Sequence, residues 1–83
     1  MTPEEIKQLI EAGITDSQAM VDGDGTHFEA IVVAEGFAGQ SQVRRHQMVY
    51  AALGERMGGV IHALSMQTYT PQEWESARHL RVL

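Results

Sequence analysis

The sequence predicts an α+β domain in the order αββαβα, with helices packed on one face of a small three-stranded mixed sheet. Three observations lead there. Two segments open with helix-start chemistry, Thr2-Pro3-Glu4-Glu5 and Thr70-Pro71-Gln72-Glu73. A strand alternates cleanly, with Phe28, Ala30, Val32 and Ala34 on one face and Glu29, Ile31, Val33 and Glu35 on the other. The intervening Asp22-Gly23-Asp24-Gly25 has the residues of a tight antiparallel connection.

Each element follows from its own signals. In the first helix Thr2 caps, Pro3 fills the first turn, and Ile6, Leu9 and Ile10 form a stripe that stops near Gly13. Ser17 to Val21 is a short strand, and the alternating segment after the turn is the second. Because Ile31 and Val33 keep the second sheet face partly apolar, that face is not fully solvated, which leaves open a homodimer that scaffolds other proteins. Gly36-Phe37-Ala38-Gly39 breaks the strand, Phe37 plugs the core and Gly39 turns the chain. Ser41 caps a second helix running to about Met57, with Val43, His46, Tyr50, Leu53 and Met57 on the docking stripe and Arg44, Arg45 and Met48 facing away. Gly58-Gly59 ends that helix, and Val60 to Met66 is the third strand. The last helix runs from Pro71 to about His79, with Tyr69 and Trp74 as a hydrophobic staple across its cap.

Composition narrows the function. Eighty-three residues, 43% hydrophobic and 20% charged, suit a single domain spanning 1–83 with a shallow surface site. The net charge of −5 opposes coating of nucleic acid by bulk electrostatics. Charge is divided unevenly, however: up to Ser41 one lysine stands against eight acids, and beyond it five arginines stand against three. Arg44 and Arg45 centre the basic patch, either as a solvated helix face or as phosphate contacts. With no cysteine, the chain has no thiolate nucleophile or sulfur ligand of its own, so soft-metal chemistry must borrow sulfur from a partner. No catalytic set is found, and neither a signal peptide nor a long apolar run is present, so a non-enzymatic cytoplasmic protein is expected.

Several strings then align with a known family. Phe28 closing the hairpin, Phe37-Ala38-Gly39, Arg45-His46, Val49-Tyr50, Ile61-His62-Ala63-Leu64 and Tyr69-Thr70-Pro71-x-Glu73-Trp74 come in the order and spacing that resemble the BolA family. The acidic first half and the Asp-Gly-rich hairpin with His27 resemble its IbaG (YrbA-like) branch. The resemblance implies a type II KH-like fold, partnership with a monothiol glutaredoxin around a shared [2Fe-2S] cluster, glutathione supplied by that partner, and a role as a transcriptional regulator in stress responses.

It also implies ligands. Iron in a [2Fe-2S] cluster accepts imidazole in place of thiolate. His62 matches the family's ligand position, and His27 falls where the family places a second, variable ligand. From the residues alone a histidine on a strand reads as a packing or hydrogen-bonding group, and the resemblance reverses that reading for His62. His46 is read as structural and His79 as solvated. The alternative is a DNA-binding regulator of the BolA type using Arg44 and Arg45; the literal Gly36-x-x-Gly39 adds little, because it follows a strand and carries Phe37 where KH loops usually carry a basic residue.

Overall fold

The computed structural model describes residues 1–61 and 63–82, the last three of these by backbone alone. It contains α1 (Pro3–Gly13), β1 (Ser17–Gly23), β2 (His27–Ala34), α2 (Gln42–Leu53), β3 (Ala63–Tyr69) and α3 (Pro71–Val82). Two short 3₁₀ turns, Glu35–Phe37 and Gly54–Arg56, follow β2 and α2. The expected α+β order and three-stranded mixed sheet are both found.

The sheet order is β1-β2-β3. Antiparallel pairing runs from Ser17 with Ala34 to Gly23 with Phe28, and parallel pairing from His27 with Ala63 to Val33 with Tyr69. A parallel pair needs a crossover rather than a hairpin, and α2 supplies it. Ile6 and Ile10 of α1, Val49 and Leu53 of α2, and Phe28, Ala30, Val32 and Ala34 of β2 close a core in which Phe37 is fully buried. Helices α1 and α2 approach so closely that a Cβ at Gly13 would stand 2.6 Å from the Ala52 Cβ.

Helix starts agree with expectation. Thr2 and Ser41 hydroxyls accept the N–H groups of Glu5 and Arg44. Thr70 and Glu73 satisfy each other's N–H groups reciprocally, and the Tyr69 and Trp74 rings lie 5.4 Å apart across the cap. The helices do not all pack on one face as expected: this staple folds α3 toward the second sheet face, whose Gln18 and Val33 line a common depression with Pro71 and Trp74, leaving Val33 only 7% exposed.

Two boundaries differ. Helix α2 ends at Leu53, four residues before Met57, because Gly54 at φ +60 supplies the turn and its N–H donates to the Tyr50 carbonyl. Strand β3 begins at Ala63 rather than Val60. Gly58, at φ +82, donates its N–H to the Ile61 carbonyl, and Ile61 donates to the Arg56 carbonyl, so this stretch spends its backbone groups on a turn.

The stripe on α2 is also rotated. Arg45, Val49 and Leu53 face inward, while Val43 is 68% exposed and Tyr50 42%. Arg45 was expected to face away, yet it is 5% exposed. Its Nε donates to the Gln40 carbonyl at 3.0 Å and Nη1 to Glu73 Oε1 at 2.7 Å, while the guanidinium lies 5.8 Å from the Phe37 ring centroid. A buried guanidinium is tolerated only where its charge and its donors are met, and here Glu73 and the backbone meet them.

Candidate functional site at the hairpin end of the sheet

His27 begins β2. The Asp24 carboxylate accepts the N–H groups of Thr26 and His27, each at 2.9 Å, and the Asp24 N–H donates back to the His27 carbonyl. Gly25, at φ +96, makes the left-handed step between them. Hydrogen bonds from His27 and then Thr26 hold the Asp24 carboxyl below the ordinary carboxylate range. The backbone of His27 is therefore fixed from both sides, while its side chain is exposed. Sequence reading saw the turn but missed Asp24 as its clamp, although an Asp followed closely by Gly carries that signal.

Across the parallel ladder, His27 pairs with Ala63. His62 lies outside the described residues. Of its chain neighbours, Ile61 is completely buried and forms a bridge with Met57, and Ala63 opens β3. His27 shares its sheet face with Glu29 and Ile31, by strand alternation.

The remaining candidates are dispersed over other elements. His46 is half-buried on α2, and exposed His79 on α3 lies 3.1 Å from Glu75. Arg44 is exposed and has no side-chain partner among the described residues, whereas Arg45 belongs to the Glu73 tie and is withdrawn from the basic surface. The partnership of Arg45 with Glu73 spans 28 positions, and sequence reading recognised only the capping half of Glu73's role. Gly36-x-x-Gly39 follows β2, with Phe37 buried and Gly39 at φ +77, as expected.

The donor set bears on metal chemistry. Among the described residues, no three His, Cys, Asp or Glu side chains converge into a metal cage. An exposed imidazole on a pinned strand end, in a chain without cysteine, fits a group whose other ligands belong to a second molecule. No helix among the described residues is long and apolar enough to cross a membrane.

Comparison with known proteins places this arrangement. The family model for BolA-like protein matches residues 8–73. Acid stress protein IbaG of Escherichia coli strain K12 is 40% identical over 81 residues, covering 96% of both chains. Human BolA-like protein 1 is 39% identical over 80 residues, of which this chain spans 56% of the length. A solved BolA homologue from Coxiella burnetii superposes with a TM-score of 0.84 at 50% identity, covering 90% of this chain and 97% of that one. By the family match over residues 8–73, the identity to IbaG and the shared fold, the chain belongs to the BolA family, in its IbaG-like branch.

Proposed function

We propose that this protein is a non-enzymatic adaptor that pairs with a monothiol glutaredoxin and shares a [2Fe-2S] cluster, in iron-sulfur trafficking or stress response. The observation that carries the reading is the exposed His27 side chain, held at a sheet end by the Asp24 clamp and paired in register with Ala63, the residue after His62. His27 and His62 are the imidazole donors; the partner supplies sulfur from its cysteine and from glutathione. The bound cluster would supply iron whose redox potential rises as imidazole replaces thiolate. What the chain contributes is orientation: the Asp24 turn fixes the backbone that aims His27, at little cost to the fold.

DNA binding of the BolA type draws less support, since Arg45 is committed to Glu73 and Arg44 alone is left to meet a phosphate on this helix.

The test is reconstitution with a monothiol glutaredoxin, followed by visible absorption and circular dichroism for wild type, His27→Ala and His62→Ala. Both variants should alter the spectrum of the complex. If complexes form and both spectra match wild type, histidine ligation is wrong.

A further inference from the structure

Asp-Gly occurs twice in succession, at Asp22-Gly23 and Asp24-Gly25, and both pairs are exposed. An aspartyl side chain can be attacked by the main-chain nitrogen that follows it, and glycine, with no Cβ, least obstructs the approach. In sequence the two pairs are equivalent. In the fold they are not.

Gly23 lies opposite Phe28 at the end of β1, an edge strand. In the adjoining pair the Asp24 N–H donates to the His27 carbonyl. Hydrogen-bonded and non-hydrogen-bonded pairs alternate along an antiparallel ladder, so the Gly23 N–H points away from β2 and takes no part in the ladder. It donates instead to Oδ1 of Asp22 at 2.8 Å, which sets the Gly23 nitrogen against the carboxyl of the residue before it. At the second pair the carboxylate is held elsewhere. Asp24 accepts the N–H groups of Thr26 and His27, each at 2.9 Å, and so is drawn past the Gly25 nitrogen to the two that follow.

We propose that Asp22-Gly23 is a modification site at which the main chain isomerises spontaneously through a succinimide, while Asp24-Gly25 is protected by its own turn. With the Asp22 carboxyl in its acid form, the electron pair of the Gly23 nitrogen forms a bond to Cγ, and the amide proton and the carboxyl hydroxyl leave together as one water. Water then opens the ring at either carbonyl. Addition at Cγ restores aspartate; addition at the Asp22 main-chain carbonyl leaves the chain running through Cβ and Cγ, an isoaspartate. The water lost in the first step is regained in the second, and nothing is oxidised or reduced.

The product does not fit the hairpin. A Cβ placed on Gly23 would already stand 2.5 Å from the His27 carbonyl oxygen and from Phe28 Cδ1. A main chain longer by one methylene therefore cannot keep Gly23 in register with Phe28, and the neighbouring Asp24 turn must give way. Because that turn aims His27, isomerisation would age the proposed ligand; this consequence rests on the cluster reading, whereas the isomerisation itself does not.

The test incubates the whole protein in H₂¹⁸O at neutral pH, folded and in urea, and then digests it; fragmentation that cleaves isoaspartate between Cα and Cβ assigns each position. In the folded protein, isoaspartate carrying ¹⁸O should accumulate at Asp22 roughly fivefold faster than at Asp24, and in urea the two rates should agree within about twofold. Asp22→Glu, which can close only a slower six-membered ring, should keep the fold and lose the early product. The isomerised fraction, separated from the parent, should exchange the Thr26 and His27 amides with deuterium faster than the parent does. Equal rates at the two positions in the folded protein, or product in urea alone, would overturn the proposal, and unchanged exchange in the isomerised fraction would overturn its effect on His27. Neither result alters the reconstitution spectra, which test the ligand separately.

Discussion

The two ends of the β2–β3 ladder are built on opposite principles. At the Val33–Tyr69 end, Thr68 bonds Gln42, Arg45 bonds Gln40 and Glu73, and Glu73 also caps α3. At the His27–Ala63 end, the backbone is pinned by Asp24 but the imidazole faces solvent. One end spends its polar groups on the fold and the other keeps a donor in reserve. A small domain can hold a ligand outward in this way because the cost of ordering the sheet is met elsewhere.

The contrast can be broken at the anchored end first. Phe37→Ala should cost about 3–5 kcal/mol in urea unfolding, since it empties the core beneath the Arg45 guanidinium. Arg45→Ala should cost about 2–3 kcal/mol, at the lower end of the range for a broken buried pair because Glu73 stays half solvated. Arg44→Ala, one position away on the exposed surface, should change stability by less than about 0.5 kcal/mol. Equal losses for the two arginines would show that the burial assigned to Arg45 is wrong.

Acid sharpens the same comparison. The hydrogen bond from Arg45, and then that from the Thr70 N–H, holds the Glu73 carboxyl below its ordinary range. A carboxylate lowered by folding stabilises the protein fully above its unfolded value, and this contribution is lost as pH falls through the folded value. Glu73→Gln should therefore be less stable than wild type at neutral pH, and the two unfolding midpoints should converge in acid. A gap that stays constant across the carboxylate range would remove the ion pair from the account.

The smallest effect on stability belongs to the other end. His27→Ala should shift the unfolding midpoint by less than about 0.5 kcal/mol, because its clamp acts through backbone groups that alanine retains. The same variant should perturb the spectrum of the reconstituted glutaredoxin complex. A large stability loss would make His27 a structural residue.

What the sequence disclosed follows the range of the interactions. Caps at Thr2, Ser41 and Thr70 were legible because donor and acceptor lie three positions apart. The alternation of β2 was legible because one residue in two faces the core. The helical phase of α2 was not. Two stripes share Leu53, and the one chosen from the sequence kept Arg45 in water; the true one buries it, a choice that makes sense only with Glu73 known to lie alongside. The Gly54 stop was passed over in favour of the more conspicuous Gly58-Gly59, which displaced the start of β3. At the candidate site, His27 and its turn were read correctly as local features, while the register that sets it beside Ala63 depends on a crossover no short window reveals.

Glu73 Oε1 accepts the Thr70 amide proton and a guanidinium proton of Arg45 together. A helix start that would otherwise fray on its own is therefore coupled, through one oxygen atom, to the first turn of a helix distant in sequence. Amides opening α3 and those around Arg45 should exchange with deuterium at a common rate, as a single cooperative unit.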